Sequence, residues 1–128
     1  MGFAHTSITV RDMEASIAFY ERWLGMRLER RHPIESTRAD IAFLEDPATG
    51  ALLELTWWWD KQDWNAGDEL DHLAFYVPDV AALVAEARKA GVEIAKEPYS
   101  LPGSATKLAF LKDPNGIWIE LIERTGKG

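Results

Sequence analysis

Two histidines and two glutamates recur in step along this chain. His5 and His72 are separated by 72 − 5 = 67 residues, and Glu54 and Glu120 by 120 − 54 = 66. Each glutamate closes a phrase that is written twice. The first copy runs Ala-Phe-Leu-Glu-Asp-Pro from Ala42 to Leu-Glu-Leu at 53–55, and the second Ala-Phe-Leu-Lys-Asp-Pro from Ala109 to Ile-Glu-Leu at 119–121. Two neutral imidazoles and two carboxylates suit a borderline divalent ion such as Ni²⁺, Co²⁺ or Zn²⁺, whereas an all-oxygen set would favour Mg²⁺ or Ca²⁺. There is no cysteine, so only nitrogen and oxygen donors are on offer. Taken singly, a strand histidine is more often a hydrogen-bonded structural residue, and a glutamate between aliphatics is usually the solvent face of an amphipathic strand. Recurrence at matched places in both copies favours a metal centre instead.

What must position these four residues is a repeated unit, because self-similarity at a fixed period sets the architecture before any local reading. The β-branched run at 3–10 predicts a strand, Asp12 a helix N-cap, and Met13, Ile17, Tyr20 and Leu24 a helix that Gly25 closes. Strands follow at about 26–31, 38–45 and 50–57. The order repeats: a strand at 70–77, a helix capped by Asp79 and closed by Gly91, then strands near 92–96, 105–112 and 117–123, with Asp113-Pro114-Asn115-Gly116 as the last turn. The fold class predicted is α+β, two tandem βαβββ modules at 1–59 and 70–128 joined by a polar linker at 60–69, all in one domain.

Strand alternation tests the metal reading, since side chains two apart share a face. Leu53, Leu55 and Trp57 point away from Glu54, Ile119 and Leu121 away from Glu120, and Leu73, Phe75 and Val77 away from His72. Each strand thus keeps an apolar face for helix packing and presents its donor on the other, concave side. Trp58 falls on the face of Glu54, Tyr76 on that of His72 and Trp118 on that of Glu120, which makes them candidate pocket walls. His32 lies outside the repeat and reads as a surface residue.

Composition narrows the class. A net charge of −7 and a pI of about 4.9 disfavour nucleic-acid binding. No apolar run approaches a membrane span, and the lack of a leader-like start points to the cytoplasm.

The chain resembles the vicinal-oxygen-chelate superfamily, and within it bacterial glyoxalase I (lactoylglutathione lyase). The likeness covers nearly the whole sequence and rests on Phe-Ala-His-Thr at 3–6, Ser-Ile-Ala-Phe-Tyr at 16–20, Leu-Gly-Met at 24–26, Glu-Leu-Thr at 54–56, His72, and Asp-Pro-Asn-Gly with Ile-Glu-Leu-Ile at 113–122. Matched residue by residue, the family's metal ligands fall on His5, Glu54, His72 and Glu120. The resemblance implies a curved mixed sheet with a metal cleft, one octahedral divalent ion per site (Ni²⁺ or Co²⁺ favoured, Zn²⁺ possible), and a homodimer. His5 and Glu54 of one chain would then face the histidine and glutamate of the second module of the other.

The resemblance further implies isomerisation of the methylglyoxal–glutathione hemithioacetal, with Glu120 as catalytic base and Glu54 as its partner. Where the family grips glutathione with an arginine, an asparagine and a basic residue, this sequence has Thr9, Trp58 and Pro102, with Lys107 nearby. Thr9, Trp58 and Lys107 are therefore the candidate substrate contacts. The same departures leave room for an epimerase or isomerase with another substrate, and a non-catalytic small-molecule binder is the remaining alternative.

Overall fold

A computed structural model describes residues 1–65, 67 and 70–124. The predicted linker at 60–69 falls partly outside that set, as does the end of the second predicted module. The chain divides into two compact units, Met1–Asn65 and Ala66–Gly128. The first contains β1 (Thr6–Thr9), α1 (Met13–Leu24), β2 (Arg27–Ile34), β3 (Ala39–Glu45) and β4 (Leu52–Trp58). The second contains β5 (Leu73–Val77), α2 (Val80–Lys89), β6 (Ile94–Tyr99), β7 (Leu108–Lys112) and β8 (Trp118–Glu123). Both are βαβββ units, as the repeat predicted.

Each unit builds its own four-stranded mixed sheet, in the orders β1-β4-β3-β2 and β5-β8-β7-β6. The first strand of each pairs in parallel with the last, and the remaining pairs are antiparallel. Asp12 and Asp79 start the helices, accepting from Ala15 N and Ala82 N at 3.0 Å, and so satisfy an otherwise orphaned amide. Gly25 ends α1 in the left-handed region at φ 68°, which a side chain would strain. Met13, Ile17 and Tyr20 of α1 are buried in the first unit, and Val80, Val84 and Ala87 of α2 in the second. The apolar sides of the central strands are closed as well: Leu55, Leu111, Ile119 and Leu121 have no exposed surface. Among the described residues no helix is long and apolar enough to cross a membrane.

Two differences from the predicted strands bear on the placement of functional side chains. The strands expected over 3–10 and 70–77 are confined to Thr6–Thr9 and Leu73–Val77, so each histidine stands one residue ahead of its strand. Conversely β2 and β6 run further than expected, through Pro33 and Pro98. Both are edge strands of their sheets, where proline's missing N–H costs no interior ladder bond.

The Asp113 turn fixes where β8, and hence Glu120, begins. Its carboxylate accepts from Asn115 N and Ile117 N, both at 2.8 Å, and from Asn115 Nδ2 at 3.0 Å, with only 5% of the residue exposed. Asp113→Ala would strand buried donors, and the expected cost is about 2–4 kcal/mol. Chemical denaturation checks it; a loss under about 0.5 kcal/mol would show that water replaces the carboxylate at little cost.

Candidate functional site

The two units carry the same constellation. In the first, His5 Nε2 lies 3.7 Å from Glu54 Oε1; in the second, His72 Nε2 lies 3.2 Å from Glu120 Oε1. The glutamate side chains are alike in exposure, 17% and 18%, so both are sheltered but reachable. Parallel pairing explains the approach. Ser7 is level with Glu54 and Ala74 with Glu120, so each histidine, two residues earlier, shares the glutamate's face of the sheet.

Behind each histidine stands a phenylalanine that sequence alone does not single out. The His5 and Phe43 rings meet edge-on at 5.1 Å and 85°, and those of His72 and Phe110 at 5.5 Å and 89°. Phe43 is the cross-strand partner of Glu54, and Phe110 that of Glu120. Both occur in the twice-written Ala-Phe-Leu phrase, which is the one signal that could have found them. Their role is to hold the imidazole plane from one side, leaving Nε2 turned toward the carboxylate.

The second unit adds a further restraint. Asp71 Oδ2 lies 2.8 Å from His72 Nδ1. An ionised carboxylate only accepts, so this contact puts the proton on Nδ1 and leaves the Nε2 lone pair free, the arrangement that orients histidine ligands.

Two cis donors about 2.1 Å from one octahedral ion are about 3 Å apart. Separations of 3.2 and 3.7 Å between a nitrogen and an oxygen donor therefore fit a divalent ion with little adjustment. Each unit brings together two candidate ligands, and among the described residues no group of three or more His, Cys, Asp or Glu gathers as a metal cluster.

The candidate substrate contacts divide. Trp58 Nε1 donates to Thr9 Oγ1 at 3.3 Å, so these two form one neutral wall on the face of Glu54. Beside them Ser7 and Thr56 hydroxyls lie 3.4 Å apart. In the second unit Trp118 packs on Phe110 at 5.4 Å, next to His72. Tyr76 is exposed and lies under Arg124, 4.4 Å from ring centroid to guanidinium carbon. Lys107 is exposed ahead of β7, and its carbonyl accepts from Glu123 N; this puts it at the far end of β8 from Trp118 and not beside Glu120. Pro102 is exposed in the turn before it. His32 is exposed, as expected.

Charge near Trp59 is internally balanced. Arg38 grips Asp60 through two bonds, of 2.6 and 3.1 Å, while its guanidinium also lies over the Trp59 ring. The hydrogen bond from Arg38, with the attraction of its charge, holds the Asp60 carboxyl below its ordinary range. Trp59 Nε1 in turn donates to Asp40 at 3.1 Å. That tryptophan ties strand ends together.

Residues 2–121 match the family profile described as Glyoxalase/Bleomycin resistance protein/Dioxygenase superfamily. A probable lactoylglutathione lyase of Vibrio cholerae is 37% identical over 121 residues, which is 93% of this chain and 88% of the relative. Among solved structures, the trypanothione-dependent glyoxalase I of Leishmania major superposes with a TM-score of 0.81 at 33% identity, covering 96% of this chain and 86% of that one. Glyoxalase I of Zea mays gives a TM-score of 0.85 at 30% identity over 94% of this chain; here the chain spans 44% of its counterpart.

Proposed function

The chain belongs to the Glyoxalase/Bleomycin resistance protein/Dioxygenase superfamily, and from that premise we propose that it is a divalent-metal lyase of the lactoylglutathione lyase kind. Its reaction is the isomerisation of the methylglyoxal–glutathione hemithioacetal to S-lactoylglutathione. The observation that carries this reading is the histidine–glutamate pair found twice, Nε2 to Oε1, at 3.7 and 3.2 Å.

His5, Glu54, His72 and Glu120 would hold the ion, with Ni²⁺ or Co²⁺ favoured and Zn²⁺ possible. When bound it would supply a Lewis acid for the enediolate that forms once the hemithioacetal loses its carbon-bound proton. The residues do the rest. The carboxylate of Glu120 takes the proton from the carbon that bears sulfur, and the same proton is returned to the neighbouring carbon, so that the alcohol and the carbonyl exchange places. Glu54 is its partner for the opposite face of the substrate. Phe43 and Phe110 keep the imidazoles fixed while a glutamate shifts, and the Thr9–Trp58 wall and Trp118 shield the reacting carbons from water.

Two donors per unit are half of the four-residue set, and we assign the other half to a second copy of the chain in a homodimer. The dimer, the small-molecule substrate and a cytoplasmic setting belong to the same reading.

Metal removal tests it. Demetallated protein is expected to form no thioester from the hemithioacetal. Adding Ni²⁺, Co²⁺ or Zn²⁺ separately should restore turnover at an ordinary rate, on the order of 1–10³ s⁻¹ for the preferred ion. Tight metal binding with no thioester under any ion would overturn the substrate assignment.

A further inference from the structure

One carboxylate breaks the symmetry of the two histidine–glutamate pairs. Ala4 precedes His5, whereas Asp71 precedes His72. The rest of the immediate setting is matched. Each histidine stands one residue ahead of its strand, turns Nε2 to a glutamate, and meets a phenylalanine ring nearly at right angles. The repeat therefore contains its own control for what the aspartate does.

A histidine ahead of its strand can turn about two side-chain bonds, and a phenylalanine against one side of the ring limits that turning only in part. Asp71 Oδ2, 2.8 Å from Nδ1, fixes the other edge of the His72 ring. A hydrogen bond at one ring nitrogen also decides that the other is the one free for a metal. The methyl group of Ala4 offers His5 no such acceptor. The pair with the aspartate is the closer one as well, at 3.2 Å against 3.7 Å. The spacing of about 3 Å between cis donors on an octahedral ion is nearly met in the second unit, while the first must close up.

We propose that Asp71 is a positioning residue for His72, and that it makes His72–Glu120 the stronger of the two half-sites, the one that captures a divalent cation first. This rests on the metal reading of the two pairs and adds to it an order of loading. Partners that orient a ligand histidine from behind are worth about 10–100-fold in metal affinity. The Asp71 side chain is 92% exposed, so water competes for the contact and the lower end of that range is expected.

The test is Co²⁺ binding to demetallated, full-length protein, read by competition with a coloured chelator. D71A is expected to weaken binding about tenfold, with D71N, which keeps an acceptor but no charge, in between. The half-sites are then compared directly. A variant carrying H5A and E54A keeps only the second pair, and one carrying H72A and E120A only the first. The former should bind Co²⁺ about tenfold more tightly. Adding D71A should erase that difference, yet change nothing where His72 is already absent, which a merely structural role would not predict. In proton spectra of the Co²⁺-loaded protein, D71A should move the exchangeable N–H signal of one bound imidazole and leave the other in place. Equal half-sites, or the same loss with and without His72, would overturn the proposal. None of these readouts needs a substrate. Tight Co²⁺ binding without the differences defeats the proposal alone, no tight binding by the unaltered protein defeats the metal reading with it, and a lack of thioester formation bears on the lyase reading only.

Discussion

Glu120→Gln is expected to lower kcat for the hemithioacetal by about 10²–10⁴-fold, the usual worth of a positioned general base. The amide is nearly isosteric and keeps an oxygen donor, so most bound metal should remain, as metal analysis of the purified variant would show. What it cannot do is accept a proton. The backbone has no reason to move: Glu120 is flanked by Ile119 and Leu121, neither with any exposed surface, and β8 starts from the pinned Asp113 turn. The two glutamates are not equivalent, because His72 is held through Asp71 and Phe110 whereas His5 is held by Phe43 alone of these contacts. A ligand pair whose histidine is fixed from behind can let its glutamate loosen and return. Near-normal kcat in Glu120→Gln would sink the assignment, and a larger loss in Glu54→Gln would exchange the two roles.

The four candidate ligands are legible because they repeat, and repetition in sequence becomes matching histidine–glutamate geometry in the two units. The helices are legible for the same local reason twice, an aspartate cap ahead of a helical apolar stripe. Parity carries further than a single strand: counting in twos from Glu54 puts Trp58 on its face, where it meets Thr9. Counting fails where the backbone itself breaks step. The register shifts between Leu28 and Arg30 in β2 and between Ile94 and Lys96 in β6 reverse parity, so no alternation rule pairs Arg30 with Phe43 or Lys96 with Phe110. Lys107 draws attention by its nearness in sequence to a loop, yet antiparallel pairing carries it to the end of β8 away from Trp118. Phe43 and Phe110 stand in plain view inside the repeated phrase. They look like apolar filler because nothing in a lone phenylalanine reveals that an imidazole will lie against its edge.

Pairwise mixing of two inactive variants is expected to restore activity, and this is the strongest test of the shared site. In the proposed homodimer, each centre takes His5 and Glu54 from one chain and the second histidine–glutamate pair from the other. His5→Ala with Glu54→Ala leaves one half missing from both centres of its dimer, and so does His72→Ala with Glu120→Ala. Each protein alone should be inert. A mixed dimer concentrates all the damage in one centre and leaves the other complete. Random exchange makes half of the dimers mixed, with one good centre of two, so a denatured and refolded equimolar mixture should reach about a quarter of normal activity. Metal content should rise by the same fraction over the separate variants, a readout that needs no substrate. Centres built within single chains would predict no recovery, since neither variant holds a complete set. Because Asp71 and Phe110 are untouched by the first double variant, and Phe43 by the second, every half that survives keeps its own support. Failure to recover in a mixture shown by mass spectrometry to contain mixed dimers would place all four donors in one chain.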